Sequence, residues 1–496
     1  MTHNDVVQTR SGPVRGTVGD GVRSFLGIPY AASPAGKFRF AAPQPPEPWT
    51  EVLPADRFGP TPPKAPYPAP LDVILREVEV PGDDWLTVNV WTPEHVDVPL
   101  PVLVWIHGGA FVNGNAAIPT YGGGPFARDG VVMVSLNYRL GVEGFALLAD
   151  ATAPANRGIL DQIAALEWVR DNIAAFGGDP ANVTICGESA GAMSVITLLT
   201  SPRAAGLFAR AIAQSGTVQG AVAPEDAALV TAAVAEVLGI EPTAAAFADV
   251  APEAVIAAQR AVVADVAATR DATRYGPTVI ASGMTLPPVI DGEVVPIHPM
   301  AAIAGGAGAD VPLLTGSNRD EYRLFLVPTG VAAAMTEEGL AGFTAAAGIP
   351  GPVLSRYRAN RPDAHPGDVL CALLGDAFFR LPAFAVADAR LASSAGTWVY
   401  EFAWPTPVAD LGACHAVEIG FVFDNLAATG NDELAGADAP QSLADVMHAA
   451  WVAFARHGDP GWERHDSSRP VMVFDGDGAS LAHDLRADER TIWVVG

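Results

Sequence analysis

The sequence predicts an α/β chain with a mostly parallel, twisted central sheet covered by helices on both faces. Three observations carry that prediction. From about residue 86 short apolar runs bounded by turn residues alternate with stretches of helical periodicity. The runs are apolar at successive positions, as strands buried on both faces must be. Half of the 496 residues are hydrophobic and 17% are charged, which supplies a large core and excludes a disordered chain. No interdomain break is visible, so residues 1–496 read as one domain.

The elements follow in order. Ser11–Val18 and Val22–Gly27 flank Gly19-Asp20-Gly21, a hairpin signal. Residues 43–70 are dense in proline, and because apolar strands resume directly after them they read as an ordered surface excursion. Strands are expected at Thr87–Trp91, Val102–Ile106, Val131–Ser135, Val183–Cys186, Ala211–Ala213 and Val311–Leu314. Between two of them, Asp161–Phe176 repeats Ile163, Leu166, Val169, Ile173 and Phe176 at helical spacing, and Gly177-Gly178 closes the helix. An alanine-rich helical region, about 220–275, and a second helical block, about 335–395, read as excursions over a site. Trp398–Phe402 reads as a further strand.

The formal net charge of −26 argues against nucleic acid, whose phosphates need clustered Lys and Arg. Three cysteines, Cys186, Cys371 and Cys414, form neither a disulfide framework nor a zinc-ligand spacing. The N-terminus has no basic-then-apolar leader, and no apolar run approaches the ~18 residues that cross a bilayer. The expectation is a cytoplasmic protein without a membrane partner, a monomer or small homo-oligomer, acting on a small molecule.

The chemistry concentrates in two places. Val183–Cys186 runs into Gly187-Glu188-Ser189-Ala190-Gly191, and apolar helical positions Met193, Val195, Ile196 and Leu199 follow. This is a nucleophile elbow, in which the turn is so sharp that Ser189 sits in strained backbone geometry and side chains at 187 and 191 would collide. Upstream, Val102–Ile106 ends in His107-Gly108-Gly109-Ala110-Phe111, a loop whose small residues let backbone N–H groups turn inward. The N–H groups of Gly109, Ala110 and Ala190 are the candidate oxyanion donors. His107 reads as a turn residue satisfied by backbone.

On these residues the chain resembles the type-B carboxylesterases, the group that includes bacterial para-nitrobenzyl esterases and the cholinesterases. Phe176–Gly191 is similar to their active-serine signature. The likeness extends through Phe25–Ala31, Leu86–Pro93, Asn137–Gly141, Gly158–Gln162, Gln214–Gly216, Pro287–Gly292, Gly316–Glu321 and Trp451–Ala455. It implies the α/β-hydrolase fold with a small N-terminal β-sheet, no cofactor or metal, and a triad in chain order Ser, acid, His.

Carried over residue by residue, the triad is Ser189, Glu321 and His415. Asp320 is the adjacent competitor for the acid, and Tyr322 stands where the family usually has glycine. The resemblance places Glu188 beside the site, where it would favour cationic His415, and Ser215 either hydrogen-bonds behind the site or is a turn serine. Trp85 replaces a cysteine that forms a disulfide in secreted members, which fits a reducing compartment. Ala110 replaces a glycine and adds a methyl group beside the acyl site. Phe111, Met193, Tyr322, Phe325, Phe379 and Phe421 are candidate wall residues of an apolar pocket for neutral aryl or alkyl esters. The function implied is a serine carboxylesterase working through an acyl-enzyme on Ser189. The alternative is an aryl-carbamate or amide hydrolase, or a transacylase, with the same triad. A non-catalytic binding module on this fold lacks the serine, whereas all three triad residues stand here. A neutral imidazole is required, so activity is expected to fall on acidification through about pH 6 to 7.

Overall fold

The computed structural model describes residues 5–216, 219–476 and 478–495. Its strands in chain order are β1 (Val6–Gln8), β2 (Pro13–Arg15), β3 (Thr17–Gly19), β4 (Val22–Pro29), β5 (Leu53–Pro54), β6 (Thr87–Pro93) and β7 (Leu100–Ile106). These are followed by β8 (Val132–Leu136), β9 (Gly178–Glu188), β10 (Arg210–Gln214), β11 (Leu313–Asn318), β12 (Thr397–Phe402), β13 (Pro470–Asp475) and β14 (Gly478–His483). Among the described residues they form a small sheet, β1-β2-β5, and an eleven-stranded sheet ordered β14-β13-β12-β11-β10-β9-β7-β8-β6-β4-β3. From β8 to β13 every neighbouring pair is parallel, and antiparallel strands flank this run on both sides. This is the α/β-hydrolase fold.

The physical basis is legible in the strands. Along β7, Val102, Val104 and Ile106 enter one core cluster, while Leu103 and Trp105 enter the other on the opposite face. β8 divides likewise, Val132 and Val134 against Met133. Both faces are apolar because both are covered by helices. The β3–β4 hairpin turns on Asp20 and Gly21 at φ 51° and 74°, the left-handed pair that a two-residue hairpin loop requires.

The expected helix 161–176 is an α-helix over Arg157–Asn172 continued by a 3₁₀ turn, Ile173–Phe176, and capped by Gly177 at φ 88°. The alanine-rich region holds helices Pro224–Leu238 and Pro252–Thr269, and the later block holds Glu337–Ala346 and Gly351–Asn360. One helix bears on the membrane expectation. Helix Pro366–Ala389 is long and apolar enough on average to cross a membrane, although mostly buried within the fold. Its uninterrupted apolar runs stay far below ~18 residues, because Asp368, Asp376, Arg380 and Asp388 punctuate it, and Asp376 and Arg380 form a buried pair inside a π-turn, Asp376–Arg380. Strands β13 and β14, which the sequence reading did not assign although Val471–Phe474 is an apolar run, extend the sheet beyond β12.

Candidate active site

The elbow is built as its glycines demand. β9 delivers Glu188, Ser189 turns at φ 56°, ψ −124°, and the helix Ala190–Thr200 departs at once. That backbone conformation is costly for a residue with a side chain and is held from both sides. Ser189 N–H donates to Gln214 O at 2.9 Å, and Met193 N–H donates to Ser189 O at 2.9 Å. A Cβ on Gly191 would lie 2.0 Å from Ile106 O, and one on Gly187 2.5 Å from Gly191 backbone. Glycine is therefore required where strand, turn and helix cross.

The glycine-rich loop approaches from β7. A Cβ on Gly108 would lie 3.1 Å from Ser189 Cβ, so the loop passes directly against the serine. Gly109 and Ala110 take φ 110° and 52°. No hydrogen bond among the described residues uses the N–H of Gly109, Ala110 or Ala190, which leaves three donors beside Ser189. His107 is fully buried, stacks on Tyr138 at 4.5 Å and pairs Nδ1 with Gly108 O at 2.8 Å. Burial pushes its imidazole down to about 3, so it stays neutral, the structural residue expected.

Two loops converge to bring in the acid and the histidine. Glu321 Oε2 meets His415 Nδ1 at 2.6 Å, and its Oε1 accepts Asn318 N–H at 2.8 Å. Asp320 points elsewhere: its Oδ2 accepts Ala413 N–H at 2.9 Å, and its own N–H donates to Ala413 O at 2.9 Å. The competitor is thus an anchor of the histidine loop. Tyr322 has ordinary helical backbone, φ −75°, at the start of Arg323–Leu326, so the loss of the family's glycine leaves the loop intact.

The other imidazole nitrogen differs from expectation. His415 Nε2 lies 3.0 Å from Glu188 Oε1, and no hydrogen bond joins it to Ser189 Oγ among the described residues. Ser189, Glu188 and His415 nevertheless share one cavity wall. Burial pushes the imidazole down, but the charges of Glu188 and Glu321 outweigh burial and raise it to about 9. Burial pushes the Glu188 carboxyl up to about 8, against the pull of His415. An imidazole held up in this way stays cationic to a higher pH than an unperturbed histidine.

Behind Ser189, His415 and Glu321 lies a buried polar network that sequence reasoning missed. Glu418 is fully buried, accepting Asn318 Nδ2 at 2.6 Å and Gln214 Nε2 at 3.1 Å. Gln214 Oε1 in turn accepts Trp451 Nε1 at 2.9 Å, and Asn318 Nδ2 also reaches Cys414 O at 2.7 Å. Burial pushes the Glu418 carboxyl up to about 6. The signal available was polar residues, Gln214 and Asn318, at the ends of apolar strands. Ser215 takes no part with its side chain. Its buried Oγ has no partner among the described residues, and only its N–H is used, to Gly316 O at 2.9 Å.

The cavity measures about 700 Å³, the size of a small-molecule site. Met193, Tyr322, Phe325 and Phe379 line it as expected, with Phe379 4.8 Å and Phe325 5.3 Å from the His415 ring. Two expected wall residues lie elsewhere. Phe111 is fully buried against Phe145 at 4.8 Å, because the loop turns Ala110 to the cavity and Phe111 to the core. Phe421 packs on Phe402 and Trp404 at 5.1 and 5.2 Å. Phe378, Tyr121, Leu324 and Ile419 were missed. The π-turn explains Phe378, since the widened turn lets two successive phenylalanines reach one cavity. All three cysteines are free and buried, and no cluster of three His, Cys, Asp or Glu among the described residues could hold a metal.

Known proteins resemble this chain over nearly its whole length. The model of the Carboxylesterase family matches residues 3–476. The chain is 37% identical over 509 residues to the para-nitrobenzyl esterase of Bacillus subtilis (strain 168), covering 99% of this chain and 98% of that protein. It is 34% identical over 511 residues to the phenmedipham hydrolase of Pseudarthrobacter oxydans, covering 98% of each. The crystal structure of the Geobacillus stearothermophilus carboxylesterase EST55 at pH 6.2 superposes with a TM-score of 0.86 at 36% identity, covering 99% of this chain and 100% of that one.

Proposed function

The chain belongs to the carboxylesterase family and is a serine hydrolase of carboxylic esters, and from that premise we propose that Ser189, His415 and Glu321 perform the reaction as a triad. What carries the reading is the 2.6 Å pair between Glu321 and His415 beside a serine held in strained backbone. Because Glu321 engages Nδ1, Nε2 is the atom left to exchange protons. In an unliganded site the last hydrogen bond is often loose and tightens only with substrate, so Nε2 moves its partnership from Glu188 to Ser189 Oγ on binding.

Ser189 Oγ then attacks the ester carbonyl as Nε2 takes its proton, and Glu321 stabilises the imidazolium. The tetrahedral oxyanion accepts from Gly109, Ala110 and Ala190 N–H, each worth about 2.7–4 kcal/mol. Nε2 returns the proton to the departing alkoxide, and water repeats the attack on the acyl-enzyme. The aromatic walls favour neutral aryl and alkyl esters. Domain unity over 1–496 and a reducing, cytoplasmic setting belong to the same proposal, the setting supported by three free, buried cysteines.

The test is labelling with an organophosphate. The adduct is expected on Ser189 and is lost in Ser189→Ala, whose turnover falls by about 10⁶. An adduct elsewhere overturns the reading. A panel of para-nitrophenyl esters, an anilide and an aryl carbamate tests ester preference, and faster turnover of the carbamate reverses it.

A further inference from the structure

Residues 64–78, at the end of the proline-rich excursion, do two things at once. Tyr67, Ile74 and Leu75 face the cavity, Glu77 joins its wall, and the Glu77 carboxylate reaches the far end of the glycine-rich loop. Glu77 Oε1 accepts Gly114 N–H at 2.8 Å, and Oε2 accepts Asn115 Nδ2 at 3.1 Å. Lys64 Nζ stands 3.4 Å from Oε2, with the Lys64 and Glu77 side chains only 6% and 13% exposed. Bonds to an ionised carboxylate are stronger than neutral ones, the more so away from water. Asn113 Nδ2 also donates to Ala65 O at 2.6 Å, and Asn115 Nδ2 to Val78 O at 3.0 Å. Residues 113–115 therefore hang from this segment.

The near half of the loop turns on the same residues. Val112 and Asn113 N–H close onto Gly109 O at 3.0 and 2.8 Å. Gly109 runs so close to Asn113 that a Cβ there would lie 2.2 Å from the Asn113 carbonyl oxygen. A shift at Gly114 has no slack to absorb it before it reaches Gly109 and Ala110. An error near 1 Å in a reacting group costs about 10²-fold in rate.

We propose that Glu77 is a positioning residue for the oxyanion, aiming the Gly109 and Ala110 N–H groups through its grip on Gly114 and Asn115. The proposal rests on the reading of those N–H groups as donors. Glu77 lies on the cavity wall, but both its oxygens are engaged by the loop and Lys64, so the proposal assigns it no contact with substrate. Its effect therefore falls on the transition state and leaves ground-state binding alone.

The experiment compares Glu77→Ala and Glu77→Gln in the full chain with a para-nitrophenyl ester. It also measures a trifluoromethyl ketone, to which Ser189 Oγ adds with its proton passing to His415, and the matching alcohol that cannot form the adduct. Glu77→Ala is expected to lower kcat about 10- to 100-fold with KM within about twofold, and to weaken the ketone by the same factor while the alcohol binds unchanged. Glu77→Gln keeps an acceptor for Gly114 and recovers most of the loss. An unchanged kcat in a cooperatively melting Glu77→Ala overturns the proposal, and so does a loss confined to KM and alcohol affinity. Should Glu77→Ala not fold, Glu77→Asp serves, with reduced kcat at constant KM expected and unchanged kcat overturning. A crystal structure of the parent ketone adduct separates the two readings. An adduct oxygen away from Gly109 and Ala110 removes the premise, whereas an oxygen bonded to both, with unaltered kinetics in the variants, removes Glu77 alone.

Discussion

Replacing Glu188 by glutamine tests the electrostatics of the site directly. Glu188 Oε1 lies 3.0 Å from His415 Nε2, and both side chains are nearly buried. At that separation and an effective dielectric constant of about 20, attraction between carboxylate and imidazolium is roughly 5.5 kcal/mol, or about 4 pH units. That is an upper bound, because the Glu188 carboxyl, pushed up to about 8 by burial, is itself protonated over much of the working range. The two groups share protons and titrate as a pair. The active form is the neutral imidazole, so an anion that stabilises the cation raises the pH at which activity appears. Removing it lowers that pH. Glu188→Gln should therefore move the acid limb of kcat/KM down by about 1–2 units from a parent midpoint raised above neutrality by Glu188 and Glu321. The assay is para-nitrophenyl ester hydrolysis from about pH 5 to about pH 10, read as kcat/KM so that it reports the free enzyme. A limb that stays in place or moves up would refute the argument.

Four further outcomes follow from the geometry. Glu321→Gln should lose about 10⁴-fold in kcat because the imidazole loses its orienting anion. Asp320→Asn, which still presents an oxygen to Ala413 N–H, should lose less than about tenfold, and comparable losses in the two would mean that the acid is misassigned. Gly191→Ala places a Cβ 2.0 Å from Ile106 O and should destabilise by about 3 kcal/mol in denaturant unfolding, so an unchanged midpoint contradicts the crossing described. Ala110→Gly removes a methyl group exposed on the cavity wall and should raise turnover of tertiary-alcohol esters relative to primary ones. An unchanged ratio would show that the methyl does not set the limit.

Much of this protein is written in contiguous residues. The elbow needs a strand, two glycines at fixed offsets and a helix, and the run from Val183 to Leu199 supplies them in order. The β3–β4 turn needs two left-handed residues, and Asp20-Gly21 fits. The buried strands show themselves by being apolar at successive positions. Resemblance to a family then located Glu321 and His415, which periodicity alone could not.

Other features have no local signal, because they depend on which distant segments meet. Nothing around residue 77 marks a carboxylate that will accept the Gly114 N–H. The π-turn that holds Phe378 and Phe379 also holds the Asp376–Arg380 pair, and only the packing around it brings both rings to one cavity. Phe111 and Phe421 are as apolar as Phe325, and only packing decided which ring meets solvent. The resemblance had placed Glu188 beside His415, and packing decided that it, and not Ser189 Oγ, stands 3.0 Å from Nε2. Short-range sterics belong to the chain's own order, whereas the direction of a side chain and the charge it carries are set by neighbours that arrive from tens to hundreds of residues away.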